Sequence, residues 1–222
     1  MLSYNVRGLY DDDEALVRVI RAAAPDVVAV QESPNWFRWR PRSAALARRC
    51  GLVVLGGGFP AQRNLLLCSV AVRSHGTRNL LLSGRRLPPR GAATALCSLG
   101  GSRFGLVGTH LDLVAEHRVT QAKRLLDWVG WLGDAPLVLA GDINEGPGSP
   151  AWEMLTARLA DAAAACGADH QLTYSATEPV KRIDGIFVDP AIRPVSVEVL
   201  DTPDVRMASD HRPVLAELEL PG

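Results

Sequence analysis

The stretch that decides the reading is "PLVLAGDINEGPGSP", residues 136–150. Four apolar residues, Leu137 to Ala140, read as a strand too short for a helix and without polar alternation. A strand of that kind is covered on both faces. It stops at Gly141, and Asp142 and Asn144 follow at once, before a loop rich in Gly and Pro. A buried strand therefore delivers a carboxylate and an amide to one point on a sheet edge.

The same arrangement recurs along the chain. Apolar runs at 2–5, 27–30, 52–55, 65–72, 92–99, 104–108, 137–140, 183–188, 195–200 and 214–220 predict strands. Asn5 closes the first, Glu32 follows "DVVAV", and His110 follows "FGLVGT". Asp184 opens the strand in "KRIDGIFV", and Asp210 and His211 stand just before "RPVLAEL". Strand ends on one rim are where rigid scaffolds carry ligand sites. Helical spacing predicts helices over 11–24, where acidic residues open the helix and Pro25 closes it, and over 43–50 and 115–132, with one or two further helical turns within 151–165. Strands outnumber helices, no repeat or long linker interrupts them, and "RLPPRG" (86–91) reads as a loop, so residues 1–222 are expected to form one domain of stacked sheets with helices outside.

Composition narrows the function classes. Lys plus Arg equals Asp plus Glu at 24 each, so there is no overall basic excess of the kind a dedicated nucleic-acid binder carries. Cys50, Cys68, Cys97 and Cys166 form no C-x-x-C pair, which excludes a zinc-ribbon reading and leaves buried thiols. No run approaches the ~20 apolar residues of a membrane span. No leader pattern is visible at the start, so a cytoplasmic location is expected, with the N-terminus either native or missing an upstream segment. A monomer is expected.

If Glu32, Asp142, Asp184 and Asp210 share one rim, they repel. Two unit charges ~4 Å apart repel by ~1 kcal/mol in water and by ~4 kcal/mol at an effective dielectric of about 20. A divalent cation, a histidinium or a raised carboxyl pKa each relieves this. The donors on offer are oxygens, which suit Mg²⁺ or Mn²⁺ better than Zn²⁺.

Taken in order, "SYNVRG", "VAVQES", "GTHLDL", "AGDIN", "RIDGIFV" and "ASDHRPV" resemble the signature segments of the endonuclease/exonuclease/phosphatase (DNase I-like) superfamily, across residues 3–214. The resemblance implies a four-layer α-β-β-α sandwich, with two mixed sheets packed face to face and helices outside. It implies metal-dependent hydrolysis of a phosphoester, whose carrier is a nucleic acid, a lipid headgroup or a small phosphodiester. Carried onto this chain, Asn5 and Glu32 hold Mg²⁺ (Mn²⁺ as a substitute), with Asp210 helping directly or through water. Asp184 orients His211, Asp142 positions the attacking water, and Asn144 and His211 contact phosphoryl oxygens. His110 contacts the phosphate or protonates the leaving oxygen. The alternative is an inactive relative that binds phosphorylated ligands, against which every expected catalytic position is filled by a competent residue.

Three features depart from the pattern. Arg7 stands where some nucleases of the group carry an acidic residue at a second metal position. "RNLLLCSVAVRSHG" is less typical than its neighbours, and Gly185 takes a place often held by an aromatic residue. In "NWFRWRPR", Trp36 and Trp39 interleave with arginines, an arrangement open to base stacking, to lipid contact or to an ordinary amphipathic loop. Arg118 and Gln121, one turn apart after "THLDL", are read as solvated or loop-anchoring residues ahead of a catalytic role.

Overall fold

The structure is a computed structural model, described over residues 1–34, 37–83 and 88–222. In chain order its elements begin with β1 (Leu2–Asn5), α1 (Asp13–Ala23), β2 (Val27–Gln31), α2 (Trp39–Arg49), β3 (Val53–Gly58), β4 (Asn64–Cys68) and β5 (Arg73–Leu81). They continue with β6 (Gly91–Leu99), β7 (Ser102–His110), α3 (Ala115–Trp128), β8 (Leu137–Asp142), α4 (Pro150–Thr156) and β9 (Ala160–Asp161). The last are α5 (Ala162–Ala165), β10 (Asp184–Val188), β11 (Arg193–Val199), α6 (Pro203–Ala208) and β12 (Val214–Glu219). Two mixed six-stranded sheets result, in the orders β11-β12-β1-β2-β4-β3 and β5-β6-β7-β8-β10-β9.

Side chains alternate across a strand with period two, and that alternation builds the layers. Ala29, Leu66, Ala95, Leu106, Ala140 and Ile186 turn inward and form the core between the sheets. Val28, Val30, Leu65 and Leu67 turn outward from the first sheet onto Leu16 and Ile20 of α1, Leu46 of α2 and Val205 of α6. Val107, Leu139 and Phe187 turn outward from the second sheet onto Ala122 and Leu125 of α3 and Trp152 of α4. This is the expected four-layer sandwich. Small inner residues let the sheets approach: a Cβ on Gly108 would stand 2.9 Å from the Leu66 side chain.

Helix starts follow local chemistry. Asp12 caps α1 by accepting from the amides of Glu14 and Ala15, with Asp13 and Glu14 in the first turn. Ala24 in the left-handed conformation ends the helix before Pro25.

The structure corrects several expected boundaries. The strand expected over 65–72 ends at Cys68, because the Ser69 amide turns to the Asp26 carbonyl. β5 was not legible, since it is an edge strand exposed at nearly every position and carries no apolar pattern. α6 is a six-residue helix capped by Thr202, also unread. The one or two helical turns expected within 151–165 are present as α4 and the four-residue α5, with the short strand β9 between them. Trp39 opens α2 and does not lie in a loop; it packs against Gly58 and stacks under the Arg40 guanidinium at 4.5 Å, whereas Trp36 lies outside the described residues. Residues 86 and 87 of "RLPPRG" lie outside them as well. Cys50, Cys68 and Cys97 are buried and free, and burial pushes the Cys97 thiol up to about 12.

Gly141 has a specific reason. A Cβ there would lie 2.0 Å from the Thr109 carbonyl oxygen on β7, a contact with backbone that cannot move aside. Gly141→Ala is therefore expected to lower unfolding free energy by at least ~1 kcal/mol in urea titration. Gly130→Ala, whose Cβ would meet nothing within 4 Å, serves as the neutral control. Equal midpoints for the two variants would contradict the packing described.

Candidate active site

Strand register assembles the site. His110 at the end of β7 pairs in parallel with Asp142 at the end of β8. Asp142 pairs in turn with Asp184, which opens the antiparallel strand β10. Three neighbouring strands thus bring His110, Asp142 and Asp184 side by side on one rim. In the facing sheet, Asn5 ends β1 opposite Gln31, and Glu32 follows on the next residue with a left-handed φ of 53°. The Glu32 carbonyl accepts from the Gly8 amide and from Arg63, which holds that backbone in place.

The two sheets meet through Asn5. Its amide Nδ2 donates to Asp142 Oδ2 at 3.0 Å and to Glu32 Oε1 at 3.3 Å. His110 Nε2 lies 3.3 Å from Asp142 Oδ2, and its Nδ1 lies 3.9 Å from Glu32 Oε1. His211 Nδ1 bonds Asp184 Oδ2 at 2.9 Å, while its Nε2 lies 3.7 Å from Asp142 Oδ2. Asn144 has φ 58°, and its backbone N–H donates to Asp142 Oδ1 while its side chain donates to the Leu111 carbonyl. Asp210, next in sequence to His211, is part-exposed, and its Oδ2 faces Arg7 Nε at 3.6 Å. Arg7 therefore occupies the mouth of the site as the counter-ion of Asp210 and Asp11, where an extra carboxylate was expected to be missing.

Supporting residues complete the frame, and apart from Arg118 and Gln121 the sequence did not flag them. Thr173 Oγ1 accepts from the amides of Ile183 and Asp184, fixing the start of β10. Ser209 Oγ donates to the Asn5 carbonyl and accepts from the His211 amide, tying the last segment to the first. The Tyr174 ring lies against His211 with centroids 4.9 Å apart. Arg118, as a loop anchor, donates to Glu145 and to the carbonyls of Asp112 and Leu113, and Gln121 accepts from the Asp112 amide. Glu145 also accepts from the amides of Ala151 and Trp152 at the start of α4. Such hydroxyls and carbonyl contacts leave no motif in a single sequence.

Beside these groups opens a cleft of about 460 Å³ lined by Glu32, Phe59, Gln62, Arg63, Arg90 and His110, with Pro88 and Pro89. Another cavity of similar size surrounds Met1, Val27, Phe104 and Leu218 at the opposite ends of the strands, away from the carboxylates.

Burial splits the histidines. His110 is pushed down to about 4, first by burial and then by Arg90, His211 and Arg63, against the pull of Asp142. For His211 burial also works downward, but the charge and hydrogen bond of Asp184, with Asp142 and Asp210, outweigh it and raise the group to about 10. Burial raises the Asp142 carboxyl, reinforced by Asp184 and opposed by both histidines. One ligand atom each from Asp142, Asp184 and His211 fall within 4.8 Å of one another, a spacing able to hold a metal ion.

The sequence profile described as Endonuclease/Exonuclease/phosphatase family matches residues 2–211. The chain belongs to the endonuclease/exonuclease/phosphatase family. Family members are phosphoester hydrolases. Solved structures share the fold over nearly their whole lengths. A family member from Bacteroides vulgatus superposes with a TM-score of 0.83 at 21% identity, covering 99% of this chain and 97% of that one. A mannosyl-6-phosphatase from Bacteroides thetaiotaomicron gives 0.83 at 19% identity, covering 99% and 98%. TDP2 from D. rerio, complexed with a single-strand DNA product, gives 0.78 at 19% identity, covering 98% and 97%. No curated protein sequence gives a significant match. Among the described residues, no helix is long and apolar enough to cross a membrane.

The two histidines supply a titration test on metal-free protein in chelator. The folded value of His211 lies above its ordinary 6.5, so its contribution to stability is full below about pH 6.5 and is lost as pH rises toward about 10. The folded value of His110 lies below 6.5, so its contribution is full above about pH 6.5 and is lost as pH falls toward about 4. Ring-proton NMR should show His211 still protonated at pH 8 and His110 still neutral at pH 6. Asp184→Asn should return His211 toward its ordinary range. Two coincident titrations near 6.5 would contradict this geometry.

Proposed function

We propose that the chain is a Mg²⁺-dependent hydrolase of phosphoester bonds, of the phosphodiesterase or nuclease type, with Mn²⁺ as a substitute. The donor set supports this reading. It consists of carboxylates, an amide and imidazoles with no thiolate, which favours a hard cation. Glu32 and Asn5 are the residues proposed to hold the ion, with Asp210 joining directly or through water. A second donor set, Asp142, Asp184 and His211, has ligand atoms within 4.8 Å of one another and is the competing position. A bound cation here neutralises phosphoryl charge and polarises a phosphorus–oxygen bond.

The remaining work falls to the chain's own groups. Asp142 orients the attacking water and takes its proton, a task helped by the raised proton affinity that burial confers. His211, cationic at neutral pH and held by Asp184, donates to a phosphoryl oxygen as charge builds there. Asn144 offers its remaining amide N–H beside it. His110 is neutral at pH 7, which favours a hydrogen bond to the phosphate over proton delivery to the leaving oxygen. The observation that carries the reading is the convergence of Asn5, Glu32, His110, Asp142, Asp184 and His211 from both sheets on one rim.

The named relatives act in different settings, one a mannosyl-6-phosphatase and one complexed with a DNA product. The proposed substrate is a phosphoester borne by a nucleic acid, a lipid headgroup or a small molecule.

Hydrolysis of an aryl phosphodiester is expected with Mg²⁺ and with Mn²⁺ and is expected to vanish in chelator. Asp142→Asn and His211→Ala should each lower kcat/KM at least ~100-fold, a loss of roughly 3 kcal/mol of transition-state stabilisation. Glu32→Gln should weaken activation by the cation, read as a higher Mg²⁺ requirement. Rates that ignore both chelator and Asp142→Asn would sink the proposal, and binding of phosphorylated ligands without turnover would identify an inactive relative.

A further inference from the structure

The cleft beside the acidic rim carries groups that the hydrolytic chemistry does not use. Arg90, half-buried just before β6, forms no ion pair among the described residues, and its Nε is shielded from solvent without a hydrogen-bond partner. Burial accordingly depresses its pKa against the longer-range pull of Asp142, Asp112 and Glu32. A guanidinium stays charged under ordinary conditions, so this is a desolvated cation without a close counter-ion among the described residues, an arrangement that costs stability unless an anion arrives. Arg63 lies across the same cleft. Its Nε donates to the Ser33 carbonyl, and one terminal nitrogen donates to the Glu32 carbonyl and lies 4.0 Å from Glu32 Oε2, which fixes the plane of the fork and leaves Arg90 as the cation of the cleft without a close carboxylate among the described residues.

The turn that carries Arg63 is strained. Gln62 and Arg63 have successive left-handed φ angles of 53° and 69°, held by the Gln62 amide to Phe59 and the Arg63 amide to Gly58. Backbone strain of this kind persists where the surroundings enforce it, and it gathers at ligand clamps. Phe59, 44% exposed, adds an apolar wall, and Pro88 and Pro89 face the same space. The cleft is therefore cationic and partly apolar, next to a rim crowded with carboxylates.

We propose that this cleft is an anion subsite, in which Arg90 and Arg63 hold a second negatively charged group of the substrate while Phe59 covers the apolar part between that group and the reacting phosphate. The subsite rests on the phosphoester reading above and narrows it to substrates with at least two anionic groups. The second group is either the neighbouring phosphodiester of a nucleic-acid strand or another phosphate on a small molecule. The chain's formal charge is zero, so attraction for such a polyanion is local to this cleft and not a property of the whole surface.

The test uses two matched pairs of ligands: a dinucleotide with and without a terminal phosphate, and an aryl phosphodiester with and without a phosphonate arm. Equilibrium binding is measured in chelator, and kcat/KM is measured with Mg²⁺. The added anion should improve wild-type binding about tenfold, the scale of one charge-assisted contact. Arg90→Gln should reduce that ratio to about twofold or less, and Arg90→Lys should retain most of it, as a charge contact requires. The ratio within a pair cancels any general loss of activity in a variant. A gain in both pairs assigns the subsite to charge whatever carries it, and a gain in the dinucleotide pair alone assigns it to a nucleic-acid strand. Equal binding within both pairs, or a ratio that Arg90→Gln leaves intact, overturns the proposal. Should Arg90→Gln fail to fold, Arg63→Gln is read in its place, with loss of the ratio supporting the subsite and retention overturning it. Binding in chelator also separates the two readings: a protein that hydrolyses nothing yet keeps the ratio loses the proposed reaction and keeps the subsite.

Discussion

The Asn5 side chain joins the two sheets at the point where all the chemistry gathers. Its amide donates to Asp142 of one sheet and to Glu32 of the other, and its carbonyl oxygen accepts from the Arg7 amide. Asp142 is buried, and a buried carboxylate without partners is costly. The contacts from Asn5, the Asn144 amide and two histidines make its position tolerable. The same contacts fix how the sheet rims align. A shift of one strand by one residue would turn Asp142 or Asp184 to the other face and dismantle the row.

Electrostatics then differentiates groups that look alike in sequence. Both histidines sit beside Asp142 and both are buried, yet they are held in opposite protonation states. His211 has a carboxylate hydrogen-bonded to its other ring nitrogen, and that short contact outweighs desolvation. Among the described residues His110 makes no such bond, and it faces the fields of Arg90 and Arg63, so desolvation prevails. The pair is thereby divided into a cationic donor and a neutral one without any difference in residue type. Arg90 contributes on both sides of this balance, lowering His110 while itself awaiting a partner in the cleft.

Much of the fold was legible because its central strands are buried on both faces. Runs such as "VVAV" and "LVLA" have no polar alternation, and only layers on both sides can cover them. The misreadings fall at the periphery. β5 pairs with β6 along an exposed edge, where packing imposes no apolar pattern, and α6 is too short to show a periodicity. Gly185, unexplained at the level of sequence, is now accounted for. A Cβ there would come within 2.9 Å of both the Phe187 and Trp152 rings, which already fill the outer face in an edge-to-face pair. An aromatic side chain at position 185 has no room beside them.

The identities of the polar groups at the strand ends were determined by sequence alone, because a strand that terminates in Asn, Glu, Asp or His announces itself against an apolar run. Order along the chain was enough to resemble a family and to imply its layers. Which groups face one another was decided only by tertiary structure, since Asn5 and Asp142 are 137 residues apart and meet through sheet packing. Folding also set Asp210 toward Arg7, split the two histidines, and brought Arg63 and Arg90 to one cleft from separate loops. Burial and interatomic distance govern charge, and neither is a property of a residue's position in the chain.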